Sequence, residues 1–187
     1  MSKLIFTYGT VQSSKSAQLI QTHYNYKKQG KNPLVLVPSI DSRSDGKVVS
    51  RAFTTTVNAI KLFPTTDVRS LLLNYSYDVV MVEEVQFITQ AQVEQLFDIS
   101  KTIPVLCYGL RVDFKNKPFD STSSLMALAD ELREAVILCS ECGDKKARLN
   151  GKFVDDKLVT VGKSIEIGDT QYRPLCKYCY DKLKADD

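Results

Sequence analysis

Short runs of almost wholly apolar residues recur along the first three quarters of the chain. Because these runs do not alternate with polar positions, they are typical of parallel strands that are covered on both faces. The predicted buried strands span residues 3–8, 33–38, 78–82, 103–108 and 135–138.

Segments with helical spacing of apolar residues lie between these runs. Thr89 is a candidate N-cap of the third predicted helix, and Thr66 or Asp67 of the second. Strands that alternate with helices favour a parallel α/β sheet with right-handed crossovers. The predicted helices span residues 15–29, 67–74, 89–101 and 121–133.

Two stretches depart from this alternation. Residues 39–50 have no periodicity and are interpreted as a mobile loop, with short strands over residues 51–63 beyond it. After residue 138 the chain changes to short, β-rich pieces punctuated by glycine. We therefore expect an α/β domain over residues 1–138 and a small β-rich domain over residues 139–187.

Composition narrows the function classes. The 187 residues carry 25 basic and 22 acidic side chains, and 43% are hydrophobic, which fits a globular protein and excludes a mostly disordered one. The sequence has neither a membrane-length apolar run nor a signal peptide, so we expect a soluble cytoplasmic protein without a membrane partner. A single histidine, His23, makes His-ligated metal chemistry and Ser-His-Asp catalysis improbable.

A phosphate-binding pattern lies between the first strand and the first helix. Residues 9–16 read G-x-x-x-x-S-K-S, which differs at Ser14 from the pattern G-x-x-x-x-G-K-[ST]. In such a loop, backbone N–H groups face an anion, Lys15 reaches the β- and γ-phosphates, and Ser16 ligates Mg²⁺. The alternative is an ordinary serine-rich turn.

Two carboxylates follow the third predicted strand. Glu83 and Glu84 stand where ligands bind in open α/β sheets, at the carboxyl end of a buried strand. A carboxylate at the position of Glu83 can hold Mg²⁺, and its neighbour Glu84 can accept the proton of an attacking hydroxyl group. The alternative is a solvated acidic pair at the start of a helix.

Four cysteines form two C-x-x-C pairs, with 33 residues between the inner two. Four thiolates at such spacing predict a structural Zn²⁺ site, which stabilises a small domain that lacks a large core. Cys107 is interpreted as a small buried apolar residue. The predicted zinc ligands are Cys139, Cys142, Cys176 and Cys179.

In this order, the motifs resemble those of the type II thymidine kinases, a family found in bacteria, in large DNA phages and in human cytosol. The resemblance covers almost the whole chain. It rests on YGTVQSSKS, IDSR, VEEVQF, LCYGLRVDFKNKPF and, between the two cysteine pairs, IEIGDTQYRPLC.

The resemblance implies a P-loop NTPase-like parallel sheet flanked by helices, with a small C-terminal zinc-binding β-rich domain. It also implies a homotetramer that transfers the γ-phosphoryl group of ATP to the 5′-hydroxyl of thymidine, with Mg²⁺ held by Ser16 and Glu83. The implied catalytic residues are Glu84 as the base, Lys15 and Arg43. The implied ATP-binding residues are Gly9, Thr10, Val11, Gln12, Ser13, Ser14, Lys15, Ser16, Asp41, Glu83 and Gln86. The implied thymidine-binding residues are Phe87, Leu110, Phe114, Phe119, Ile165, Ile167, Gly168 and Tyr172.

Two positions depart from the family pattern. Ser14 stands where the family generally has glycine, and Glu83 where it generally has aspartate. These departures leave open a catalytically impaired relative that binds nucleosides or nucleotides in a regulatory role. A more distant alternative is a nucleic-acid-associated ATPase with a basic face, although the interspersed acids argue against a nucleic acid partner.

Overall fold

The computed structural model describes residues 3–41, 46–50, 54–73, 75–162 and 171–185. The strands are β1 (Leu4–Gly9), β2 (Pro33–Pro38), β3 (Lys47–Val48), β4 (Val57–Asn58), β5 (Ile60–Leu62), β6 (Val79–Val82), β7 (Val105–Leu110), β8 (Glu131–Ala135), β9 (Leu149–Val154), β10 (Lys157–Val159) and β11 (Gln171–Leu175). The α-helices are α1 (Lys15–Lys28), α2 (Gln90–Ile99), α3 (Asp120–Leu128) and α4 (Lys177–Ala185), with 3₁₀ turns at Val68–Leu72 and Val85–Phe87.

Six strands form one wholly parallel sheet in the order β5-β2-β6-β7-β1-β8. Successive residues of a strand point to opposite faces, so each apolar strand supplies two layers of core. Ile5 packs with Leu19 of α1 on one face, while Leu4 and Phe6 pack with Leu96 of α2 on the other. The unbroken apolar runs in the sequence reflect this burial on both faces.

The chain after β8 forms a second, three-stranded antiparallel sheet in the order β10-β9-β11. Phe153, Leu158 and Leu175 from this sheet form a separate apolar cluster with three of the cysteines and Tyr180. Lys146, in the segment before β9, forms an ion pair with Glu134 of β8. The domain boundary near residue 138 stays a prediction.

The structure confirms one predicted strand residue for residue and one predicted helix cap. The prediction for β2 matches residue for residue, and all six of its residues are buried. Thr89 caps α2, because its hydroxyl accepts from the Gln92 N–H while the Gln92 side chain accepts from the Thr89 N–H. Asp67 is also a cap, but it precedes the 3₁₀ turn Val68–Leu72 rather than an α-helix.

The prediction around residues 121–138 is wrong in two respects. The helix α3 ends at Leu128, and the fifth strand is β8 rather than residues 135–138. The strand β8 pairs only with β1 at the edge of the sheet, so its charged side chains face solvent and form ion pairs such as Lys3–Glu131. Because of this polar character, β8 lacks the apolar run that predicts a buried strand.

Two smaller differences concern the loop at residues 39–50 and the strand β7. Part of the loop is the strand β3, where Val48 is buried against Val57 of β4. The strand β7 ends at Leu110, two residues later than predicted, because it pairs with β1 as far as Gly9. None of the helices in the described ranges combines the length and the apolar character that a bilayer span requires.

Candidate active site

The candidate site lies at the carboxyl edge of the parallel sheet, beside β1, β6 and β7. The loop of residues 10–14 follows β1, Glu83 and Glu84 follow β6, and residues 111–119 follow β7. The three strands are neighbours and run in the same direction, so these three segments leave the sheet at the same edge. This edge is where open α/β sheets bind ligands.

The loop after β1 holds the Lys15 side chain in a buried position. The Lys15 ammonium donates to the Thr10 carbonyl at 2.6 Å and to the Ser13 hydroxyl at 3.1 Å. Burial lowers the pKa of Lys15, and the nearby carboxylates of Glu84 and Glu83 oppose that shift. Gly9 is required at the end of β1, since a Cβ there would lie 2.7 Å from the Ala135 carbonyl oxygen.

The Ser14 backbone shows why a glycine is usual at this position. Ser14 precedes α1 with φ of 62° and ψ of 19°, in the left-handed region that an L-residue adopts only at a cost. Its side chain is exposed and makes no capping hydrogen bond with the helix. Serine at this position therefore carries backbone strain that glycine would not.

Glu83 places a buried carboxylate at the start of α1. One carboxylate oxygen accepts a hydrogen bond from the Ser16 hydroxyl group, while the other, Oε2, is buried without a partner among the described residues. Burial, reinforced by the charge of Glu84, raises the pKa of Glu83 to about 8. Asp41, buried after β2, adds to this shift. A buried oxygen without a partner, next to a hydroxyl group, fits a hard divalent cation such as Mg²⁺.

The carboxylate of Glu84 is held by a neighbouring amide. Gln86 Nε2 donates to Glu84 Oε2 at 2.6 Å, and Gln86 Oε1 accepts from the Leu110 N–H at 3.0 Å. Gly109 makes room for this side chain, because a Cβ there would lie 2.6 Å from Gln86 Oε1. Gln86 thus links the candidate base to β7, and its expected contact with the nucleotide stays a prediction.

Glu84 itself has φ of 47° and ψ of 41°, which is the left-handed region again. Strained backbone of this kind persists only where the surrounding structure enforces it, and it is common at functional sites. The Val85–Phe87 turn that Glu84 begins lies against β7 and α3. The position of the Glu84 carboxylate is therefore set by the packed turn and not by the side chain alone.

Four of the eight expected thymidine-binding residues form two aromatic pairs. Phe87 and Phe119 meet edge to face with ring centroids 6.0 Å apart, and both are partly exposed. Phe114 is fully buried, and its ring lies 6.5 Å from that of Tyr172. The partly exposed pair, Phe87 and Phe119, can line a pocket. Phe114 is instead packed in the interior of the protein.

The second sheet and α4 contact both loops of the site. The Gln12 side chain donates to the Tyr172 carbonyl at 3.2 Å, which joins the loop after β1 to β11. The Tyr180 hydroxyl group donates to the Phe114 carbonyl at 2.9 Å, which joins α4 to the segment after β7. Sequence analysis missed Tyr180, since nothing in the local pattern around it points to a partner 66 residues away.

The four predicted zinc ligands come together at the end of the second sheet. The sulfur atoms of Cys139, Cys142, Cys176 and Cys179 all lie within 4.8 Å of one another. Four thiols at this separation fit tetrahedral Zn²⁺. Cys107 is buried in β7 away from this cluster, and burial raises the pKa of its thiol, as expected for a structural residue.

The structure brings most of the expected ATP-site residues to one edge of the sheet. Val11 is among them, but its N–H group donates to the Asn150 side chain and is not free to face a phosphate. Thr10 is buried, and its hydroxyl oxygen has no partner among the described residues. Four expected residues lie outside the described ranges: Arg43, Ile165, Ile167 and Gly168.

Comparisons with known proteins agree with this geometry. A family model described as "Thymidine kinase" matches residues 2–180. A protein named thymidine kinase from Enterobacteria phage T4 is 39% identical over 195 residues, which cover 98% of this chain and 97% of that protein. Thymidine kinases from Rhodopirellula baltica and Francisella tularensis are 36% and 34% identical, and each alignment covers 95% of this chain. These alignments cover 87% and 95% of the two bacterial proteins.

Ser14→Gly should stabilise the protein, because it relieves left-handed strain without removing a side-chain contact. The relief of about 1–2 kcal/mol exceeds the backbone entropy cost of glycine of about 0.5–1 kcal/mol. Urea unfolding measures the difference. The matched control, Ser123→Gly within α3, makes the same change in a helical conformation and should destabilise the protein. A loss of stability in Ser14→Gly would contradict the strain argument.

Cys142→Ser should remove bound zinc, because it deletes the exposed member of the four-thiol cluster with little change to packing. Elemental analysis of the purified protein should give about one Zn²⁺ per chain in the wild type, as one four-ligand site requires. Cys107→Ser is the control, since it also removes a thiol but should retain the metal. Equal zinc contents in both variants would rule out the proposed ligand set.

Proposed function

This chain belongs to the thymidine kinase family, and from that premise we propose that it transfers the γ-phosphoryl group of ATP to the 5′-hydroxyl of thymidine. The observation that carries the proposal is the meeting of Lys15 and Ser16 with Glu83 and Glu84 at one edge of the sheet. These groups supply a cation, a metal site and a base within a single, largely buried cluster.

In the proposed reaction, the 5′-oxygen of thymidine attacks the γ-phosphorus of ATP and the bond to the bridging oxygen breaks, so that ADP leaves. The Glu84 carboxylate accepts the proton of the 5′-hydroxyl group. Such a reaction depends mainly on positioning and electrostatic stabilisation. The hydrogen bond from Gln86 to Glu84 supplies part of that positioning.

Lys15 is the cation that offsets charge on the phosphates. Its ammonium group donates to the Thr10 carbonyl and to the Ser13 hydroxyl group of the same loop. These bonds keep a buried lysine satisfied within the loop that we propose to bind the β- and γ-phosphates. Mg²⁺ held by Ser16 and Glu83 would add further neutralisation of phosphate charge when it is bound.

The nucleoside is proposed to bind beside Phe87, Leu110 and Phe119, which lie close to the candidate base. The Leu110 N–H donates to Gln86, which in turn is bonded to Glu84. Phe87 lies three residues after Glu84. The parts of the pocket assigned to Ile165, Ile167 and Gly168, and the role of Arg43, stay predictions from the family resemblance.

The rival functions fit the observations less well. A regulatory protein that merely binds nucleotides would have no need for a strained, hydrogen-bonded Glu84. A nucleic-acid-binding ribbon would need an exposed basic face, but Lys152 is only 4% exposed and Lys146 forms an ion pair with Glu134. We therefore propose no nucleic acid partner.

Two further properties are proposed, a cellular location and an assembly. Cysteine thiols without disulfides among the described residues suit a reducing compartment, which supports a cytoplasmic location.

The family resemblance implies a homotetramer, and the edge strand β8 and its extension leave apolar Leu132, Val136 and Leu138 about half exposed. Light scattering of the zinc-loaded protein tests the assembly.

The direct test measures transfer of labelled γ-phosphate from ATP with Mg²⁺ to thymidine, deoxycytidine and deoxyadenosine. The proposal predicts turnover that is selective for thymidine, with the label on the 5′-oxygen of the product. Calorimetry on the same protein separates the outcomes. Thymidine binding without transfer would favour the regulatory relative, and turnover of another nucleoside in preference would overturn the substrate assignment.

Glu84→Gln should lower kcat by about 10²–10⁴-fold, the usual contribution of a general base, because the amide cannot accept the hydroxyl proton. The affinity for thymidine should stay within a few-fold, since the side chain keeps its size. Glu94→Gln on the exposed face of α2 is the control and should keep wild-type kinetics. Wild-type turnover in Glu84→Gln would exclude it as the base.

A further inference from the structure

One buried side chain from the second sheet is bonded to both loops of the candidate active site. Asn150 lies on β9 and is 2% exposed. Its Oδ1 accepts from the Val11 N–H at 2.8 Å, and its Nδ2 donates to the Val112 carbonyl at 2.9 Å. The two partners fix the orientation of the amide, because one can only donate and the other can only accept.

The two backbone groups belong to different substrate segments. Val11 lies in the phosphate loop between β1 and α1, whereas Val112 lies in the segment that leads from β7 to Phe114 and Phe119. The Val11 N–H and the Val112 carbonyl are bonded to Asn150 rather than to each other. The Asn150 amide therefore forms a short bridge from one segment to the other.

Neighbouring contacts hold β9 against the same two loops. Gln12 bonds to the Tyr172 carbonyl on β11, which pairs with β9, and Arg111 donates to the Arg148 carbonyl just before β9. The bridge is thus anchored in a packed sheet rather than in a loose tail. A movement of either loop must strain an Asn150 hydrogen bond or carry the other loop with it.

We propose that Asn150 is a positioning residue that couples the binding of nucleotide and nucleoside. Each substrate orders the loop that it contacts, and the Asn150 amide restricts the two loops to one joint arrangement. Binding of the first substrate then lowers the ordering cost for the second, which makes the coupling positive and reciprocal. The identity of the two substrates rests on the proposed function.

Two substitutions separate the halves of the bridge. Asn150→Asp keeps the side-chain volume and the acceptor for the Val11 N–H, but it sets a carboxylate oxygen against the Val112 carbonyl. Asn150→Ala removes both bonds and leaves two buried backbone groups without a partner. The matched controls are Asn25→Asp and Asn25→Ala on the exposed surface of α1.

Calorimetry should measure thymidine and a non-hydrolysable ATP analogue with Mg²⁺, each alone and with the other at saturation. In the wild type and both Asn25 variants, each ligand should raise the affinity of the other by the same factor, at least about 5-fold. In Asn150→Ala this factor should fall to below 2-fold. In Asn150→Asp the affinity for thymidine alone should fall more than that for the nucleotide.

Amide hydrogen exchange of the unliganded proteins tests the bridge without reference to substrates. The Val11 and 111–119 amides should exchange at least about 10-fold faster in Asn150→Ala, and mainly residues 111–119 should do so in Asn150→Asp. If the wild type fails to bind thymidine, the proposed function fails while the exchange data still decide on the bridge. Unchanged exchange in both variants, or unchanged coupling in Asn150→Ala, would overturn the proposal.

Discussion

The parallel pairing of β1, β6 and β7 is the constraint on which the candidate site depends. This register sets Gly9 opposite Leu110 and Val82 opposite Cys107, so the three following segments leave the sheet at one edge. A slip of one residue would turn every core side chain of a strand to the opposite face. The apolar packing on both faces therefore fixes the positions of the polar groups beyond the strand ends.

Those polar groups hold conformations that cost free energy by themselves. Ser14 and Glu84 are left-handed, and Glu83 keeps a carboxyl group out of water beside a second carboxylate. Strain and desolvation of this kind persist only where a well-packed framework outweighs them. In this protein the framework is the six-stranded sheet, and the second sheet adds side chains that join the loops after β1 and β7.

The sequence predicts those features that depend on local pattern. An unbroken apolar run suffices for β2, a threonine before a helical pattern for the start of α2, and paired cysteines for the four-thiol cluster. The edge strand β8 escapes prediction because its charged residues need not be buried. The role of Asn150 escapes because its bond to Val11 spans 139 residues, and no local pattern encodes such a contact.

The proposed function requires that the buried carboxyl group of Glu83 and the Ser16 hydroxyl group form the metal site of a nucleotide-binding centre. Its most direct test is the affinity of a non-hydrolysable ATP analogue, measured with and without Mg²⁺, in the wild type and in Glu83→Gln. We expect Mg²⁺ to raise the wild-type affinity at least about 10-fold and to have little effect on the variant. The same dependence on Mg²⁺ in both proteins would contradict a metal site at Glu83.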